Sequence, residues 1–238
     1  MLSSEEIFKR LESLINAEKP FSLLRFGDAE GLQCFRLPVD VIALNKSYVK
    51  QFGEIPKPEN QDVIAENIRS SFIDCDIAGL PFGFKSEVWN YTLRRFSEMD
   101  PEKTVCSANI HIYLNADPIF RKIIADRDVF YISPRNVDEQ LFTMGAKSVE
   151  SIHNSGQYKF ECEKPEVPFY RQVREIEDKI SKMDLTSKLC LFGTGAAGKH
   201  LGNMMRDNGG MVIDIGSVFD LWAGIETRSW IKERKDLK

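Results

Sequence analysis

The chain has 238 residues and a formal net charge of −4, with 42% apolar and 29% charged residues. That length suits one α/β domain, or one and a half, with a large core, and its mixed acids and bases argue against nucleic-acid binding as the main activity. The five cysteines (Cys34, Cys75, Cys106, Cys162 and Cys190) are scattered, with no Cys-x-x-Cys pair, and read as reduced structural thiols rather than a zinc site or disulfide framework.

The elements read as alternating helices and strands. Met1-Leu2-Ser3-Ser4-Glu5-Glu6 has no basic segment ahead of an apolar one, so no signal peptide is expected. Ser3-x-x-Glu6 is a capping box for a first helix with Ile7, Leu11, Leu14 and Ile15 on its apolar face. Phe21 to Phe26 predicts a strand, Gln61 to Phe72 a helix, Ile77 to Leu80 a strand broken by Pro81-Phe82-Gly83, and Val88, Leu93 and Phe96 a further helix. Val129 to Ile132 predicts a buried strand, Val137 to Met144 a helix and Val149 to Ile152 a strand. Residues 154–168 read as a long loop, more simply a connection than a lid. Phe169 to Met183 predicts an amphipathic helix, Leu189 to Phe192 a strand, Ala196 to Arg206 a helix and Met211 to Ile215 a last strand. No apolar run reaches membrane-spanning length, and the expectation is a cytoplasmic protein without a transmembrane segment. The alternation predicts an α/β fold, one domain over residues 1–238 with a mostly parallel sheet flanked by helices.

Two turns carry the chemistry. Arg25-Phe26-Gly27-Asp28-Ala29-Glu30 follows the first strand, where Gly27 would let the backbone turn sharply. Its two acids repel each other unless something positive stands between them, such as a divalent ion on a phosphorylated substrate. A helix start, with Asp28 as N-cap and Glu30 in the first turn, is the simpler reading of the same residues. The second turn, Gly193-Thr194-Gly195-Ala196-Ala197-Gly198, meets the G-x-G-x-x-G pattern between a strand and a helix, and Asp214 closes the next strand. Its glycines would let a diphosphate approach the backbone, or would serve helix–sheet packing alone. The turn lies too late in the chain for a full dinucleotide fold. A mononucleotide site shared with the Arg25–Glu30 turn, at one carboxyl edge of the sheet, fits better.

These residues, together with Val212-Ile213-Asp214-Ile215-Gly216, resemble the bacterial GT-D-type glycosyltransferases. The resemblance implies a Rossmann-like fold, a nucleoside-diphosphate-sugar donor such as a UDP-sugar, a glycan or glycoconjugate acceptor, and a divalent metal (Mn2+ or Mg2+) held by Asp28 and Glu30. Asn45-Lys46-Ser47-Tyr48 is similar to another polar segment of such enzymes, so Lys46 would meet a phosphate. Arg25, Gly27, Gly193, Thr194, Gly195 and Ala196 would bind the donor, and Asp214 would hold ribose or fix the turn. Ala29 stands where the family has glycine, Thr194-Gly195 where Pro-Thr is common, and Ser217 where it has histidine after Asp-Ile-Gly. Asp220 and Trp222-Ala223-Gly224 suggest a subgroup with its own substrate.

Arg135, at a predicted strand end, is a further candidate for ligand contact, and Glu30 and Asp220 are candidate bases for the acceptor hydroxyl. His111, His153 and His200 read most simply as structural, and Lys232 to Lys238 as a solvated tail. A homo-oligomer is compatible with these features. The alternatives are an S-adenosylmethionine-dependent methyltransferase or NAD-dependent enzyme using the Gly193–Gly198 turn, and a non-catalytic nucleotide-binding protein.

Overall fold

The computed structural model describes residues 1–36, 41–83, 86–157, 167–228 and 231. Its strands are β1 (Phe21–Arg25), β2 (Ile77–Leu80), β3 (Val105–Ser107), β4 (Asp128–Ser133), β5 (Ser148–His153), β6 (Leu189–Phe192) and β7 (Met211–Asp214). They form one sheet in the order β3-β2-β1-β7-β6-β4-β5, and every neighbouring pair is parallel. The helices are α1 (Ser4–Asn16), α2 (Asp28–Phe35), α3 (Val41–Phe52), α4 (Pro58–Asp74), α5 (Glu87–Met99) and α6 (Ile110–Ala116). Then follow α7 (Pro118–Ile124), α8 (Asp138–Thr143), α9 (Phe169–Ile180), α10 (Lys199–Asp207) and α11 (Val218–Trp222).

A parallel sheet covered on both faces needs apolar residues at every strand position, not at alternate ones. This is why β6 is an unbroken apolar run, β7 is one up to Asp214, and β1 is apolar apart from Ser22 and its terminal Arg25. Leu24, Cys190, Phe192 and Val212 point to one face, where α4, α9 and α10 bring Phe72, Ile176 and Leu201. Leu23, Leu191 and Ile213 point to the other, against Leu11 of α1, Ile124 of α7 and Phe219 of α11. Each fully buried side chain of this kind contributes about 1.5–3 kcal/mol.

The expected strands are all present, and the sheet is wholly rather than mostly parallel. The capping box forms as expected: the backbone N–H of Ser3 donates to Glu6 at 2.7 Å and that of Glu6 to the Ser3 hydroxyl at 3.3 Å. The helix expected over Ala196 to Arg206 is divided into a 3-10 turn, Ala196–Gly198, and α10. Five elements have no counterpart in the sequence reading. β3 is three residues long, α6, α7 and α11 run for two turns or less, and α3 exposes Val41, Ile42 and Val49, which hides its periodicity. The four described cysteines, Cys34, Cys75, Cys106 and Cys190, are buried and free, as expected of structural thiols. Burial pushes Cys75, Cys106 and Cys190 up to about 12. Cys162 and Lys232 to Lys238 lie outside the described residues. Among the described residues no helix is long and apolar enough to cross a membrane.

Candidate active site

In an all-parallel sheet the carboxyl ends of the strands share one edge, and the turns leaving them can converge. β7 lies between β1 and β6, with Leu23 beside Ile213 and Phe192 beside Asp214. The Arg25–Glu30 turn, the Gly193 turn and Asp214 therefore meet around a cavity of about 420 Å³. The two turns thus lie together at one carboxyl edge of the sheet, as expected.

The glycine turn is built for close approach. Gly195 has φ 64° and ψ −162°, a region that is essentially glycine-only. At Gly193 a Cβ would stand 2.8 Å from the Phe219 ring and 3.1 Å from the Gly216 carbonyl oxygen, so the turns after β6 and β7 pack only if residue 193 is glycine. Both glycines and Thr194 line the cavity. The Thr194 hydroxyl is buried without a hydrogen-bond partner among the described residues. Ala196 is wholly buried in the core and lies outside the lining, which corrects its place among the phosphate contacts.

The acidic turn is first of all a helix start. The N-cap is Gly27, one residue earlier than expected, and its N–H donates to Glu30 Oε2 at 2.9 Å. Its φ of −105° is extended backbone that any residue adopts, so the sharp turn expected of Gly27 is not what the position uses. Asp28 is exposed at the cavity and its Oδ1 accepts from the Ala29 N–H at 2.9 Å.

Behind this turn lies a buried ion cluster. Lys199, at the start of α10 and 3% exposed, places Nζ 2.5 Å from Asp214 Oδ2 and 3.3 Å from Glu30 Oε1. Asp214 also accepts from the Arg25 backbone N–H at 3.2 Å, and its Oδ1 lies 3.6 Å from Arg25 Nε. The carboxylate thus ties β1 to β7 and α10, the turn-fixing role considered for it. Nε and Nη1 of Arg25 are shielded from solvent without hydrogen-bond partners among the described residues. Arg25 lines the cavity together with Thr194.

A divalent ion shared by Asp28 and Glu30 does not fit this arrangement. One Glu30 oxygen accepts from the Gly27 N–H and the other faces an ammonium, so an ion placed there would stand against Lys199. Among the described residues no group of three His, Cys, Asp or Glu could hold a metal.

Arg135 and Asp220 meet as well. Arg135 Nε donates to Asp220 Oδ1 at 2.8 Å, and the Thr227 hydroxyl donates to Oδ2 at 2.7 Å. Asp220 thus anchors Arg135 at the cavity. Ser217 borders the cavity at the start of α11. Lys46 is exposed on α3 and outside the lining, where Lys50, one turn later, takes its place. Residues 154–157 border the cavity, so the start of the long loop does more than connect; residues 158–166 lie outside the described ones.

Among the lining residues that the sequence did not mark as site residues are Lys199, Arg228 and His111. Lys199 directly follows the glycine run, and that adjacency was the available signal. Arg228, far along the chain, donates to Gln157 at 3.0 Å. Burial lowers its pKa against the opposing pull of Asp220 and Asp28. His111 is buried, with Nδ1 3.1 Å from the Ala108 carbonyl oxygen, which can only accept, so Nδ1 carries the hydrogen. Burial first, then the Arg25 charge, hold its pKa well below the ordinary value and keep the ring neutral. His200 is structural, its Nε2 lying 2.5 Å from Glu177 Oε1 between α10 and α9, and burial lowers its pKa against Glu177. His153 has Nδ1 3.3 Å from the Ser133 carbonyl oxygen.

The two lowered histidines set a pH dependence. The unfolded chain binds their protons below about pH 6.5 while the folded one resists, so stability is present above that value and lost as pH falls. Each contributes a slope of up to about 1.4 kcal/mol per pH unit. In urea denaturation from about pH 8 to 5, His111→Gln should flatten the acid side of the profile. An unaltered slope would contradict the neutral, buried ring.

Residues 2–222 match the family described as the GT-D fold-like domain, and the chain belongs to that family. Among solved structures it is similar to a glycosyltransferase (DUF1792) from Streptococcus sanguinis, with a TM-score of 0.58 and 18% identity over 90% of this chain and 81% of that one. A second, described as the highly conserved domain of unknown function 1792 with a distinct glycosyltransferase fold, aligns with a TM-score of 0.58 and 14% identity, covering 92% of this chain and 78% of its own. At these identities the likeness is one of fold, and it bears out the GT-D resemblance and the Rossmann-like α/β architecture. No curated protein matches the chain.

Proposed function

We propose that the chain is a glycosyltransferase, residues 1–238 acting as one catalytic domain, that moves a sugar from a nucleoside-diphosphate sugar to a hydroxyl of a glycan or glycoconjugate. The observation that carries this reading is a pair of buried donors, Arg25 Nε and Nη1, that have no hydrogen-bond partner among the described residues and belong to a side chain lining the same cavity as the glycine-only turn at Gly195. Such donors lower the energy of an anion placed among them, and a leaving nucleoside diphosphate gains negative charge as the bond to the sugar breaks. Arg25 and the turn would stabilise that charge, and the Thr194 hydroxyl would add a hydrogen bond.

Asp28 is the carboxylate left for the sugar or acceptor side, because Glu30 and Asp220 are engaged by their neighbours. No step is routed through a metal, since the expected pair Asp28 and Glu30 does not fit one. The fold family supports the transferase class, and the cavity chemistry supports an anionic donor.

A panel of nucleoside-diphosphate sugars, UDP-sugars first, tests the reading through slow hydrolysis or transfer. Asp28→Asn should lower turnover by about 10²–10³-fold, the size of loss typical of one charge-stabilising group. Because Asp28 is exposed, stability should stay within about 0.5 kcal/mol. Thermal stabilisation by S-adenosylmethionine or NAD, with none by any nucleoside diphosphate, would overturn the donor assignment.

A further inference from the structure

Burying an ammonium is expensive, and its place between two acids calls for a reason. Lys199 has three N–H donors, of which Asp214 at 2.5 Å and Glu30 at 3.3 Å account for two. Its stem packs under the site with Nζ 5.8 Å from the centre of the Phe192 ring, so the charge is held on β6 as well as between the carboxylates. The residue also borders the cavity, one turn of chain beyond Gly195.

Without Lys199, Glu30 and Asp214 would present two buried negative charges next to the glycine turn, and a diphosphate would be repelled. With Lys199 and Arg25 the four groups carry two charges of each sign, and the turn can receive an anion. A divalent ion held by the same acids would achieve the same neutralisation, but it would have to be recruited from solution. The lysine is covalently attached.

We propose that Lys199 is the resident cation of the donor site, occupying electrostatically the place of a divalent ion, so that this chain binds nucleoside diphosphates without metal. The inference rests on the donor class proposed above. It predicts that the acids of this site become a metal site only when the lysine is removed.

The test is calorimetric titration of the full chain with uridine, guanosine, adenosine and cytidine diphosphates, in EDTA and in manganese, beside Mn2+ titration followed by electron paramagnetic resonance without nucleotide. The wild type should bind its preferred diphosphate with affinities within about twofold in the two buffers, and should not sequester Mn2+. Lys199→Ala should lose about tenfold or more in affinity in EDTA, bind Mn2+ at the vacated carboxylates, and recover affinity with it. Lys199→Arg keeps a charge in place and should remain insensitive to EDTA.

A wild type whose affinity falls more than about tenfold in EDTA overturns the proposal even if the alanine variant fails to fold, and so does a wild type that binds Mn2+ as tightly as a folded Lys199→Ala. Absence of diphosphate binding in either buffer overturns the donor class instead, and with it the phosphate-binding part of this inference. In that case the Mn2+ arm still decides whether the lysine holds the cation's place.

Discussion

Asp214→Ala is expected to destabilise the fold by about 3–5 kcal/mol, the cost of leaving a buried charge without its partner. Asp214 is 1% exposed, and it accepts from Lys199 Nζ at 2.5 Å and from the Arg25 backbone N–H at 3.2 Å. Alanine would leave Lys199 with only Glu30 at 3.3 Å and would sever the tie between the ends of β1 and β7. In thermal terms, about 2–4 °C per kcal/mol for a chain of this size gives a drop on the order of 10 °C.

Urea denaturation at neutral pH measures the loss directly. The double variant Asp214→Ala with Lys199→Met should be less destabilised than the sum of the singles, because it removes the stranded ammonium along with its partner. Additive losses would mean that the two groups do not interact, and would refute the buried cluster.

Arg25→Leu should act on the ligand more than on the fold. Asp214 would keep Lys199, so the stability loss should be smaller than in Asp214→Ala. What disappears is a guanidinium whose Nε and Nη1 are shielded from water and lack hydrogen-bond acceptors among the described residues. A hydrogen bond to a charged group is worth about 1.5–3 kcal/mol, so affinity for a nucleoside diphosphate should fall by roughly 10- to 100-fold. Turnover should fall further, by about 10²–10³-fold, if the same donors stabilise the leaving group. Calorimetry and steady-state kinetics separate the two losses. Arg25→Lys should recover only part of the binding, since a point charge does not reproduce the planar fork. Unchanged affinity in Arg25→Leu would remove the anion-binding reading of the cavity.

The legibility of the site follows the range of the interactions. Gly193 and Gly195 could be read as a site because a strand, a turn and a helix are local and their glycine requirement is steric. Asp-x-Glu was legible as two acids on one turn, and the helix-start reading was nearest to what the turn does, with the N-cap moved to Gly27. What meets Glu30 was not legible, for a non-local reason. The cation that meets Glu30 comes from α10, far along the chain, and nothing in the spacing of Asp28 and Glu30 shows it. Arg228 and His111 were missed in the same way, since they reach the cavity from loops and short helices with no periodic signal. The expectation for Lys46 rests on the likeness of Asn45-Lys46-Ser47-Tyr48 to a family segment, and a short likeness does not show which side of α3 faces the cavity, where Lys50 lies one turn later.

By itself the sequence determined six of the seven strands, the capped first helix, the glycine turn and the family, because apolar runs, caps and tight turns are contracts between near neighbours. Only the tertiary structure decided which groups the acidic turn faces. The parallel sheet places β7 between β1 and β6, and Asp214, Glu30 and Arg25 converge on Lys199 across that edge. Charge pairing acts through space and is indifferent to chain separation, so a buried lysine from α10 could hold the position that the Asp-x-Glu spacing had reserved for an ion.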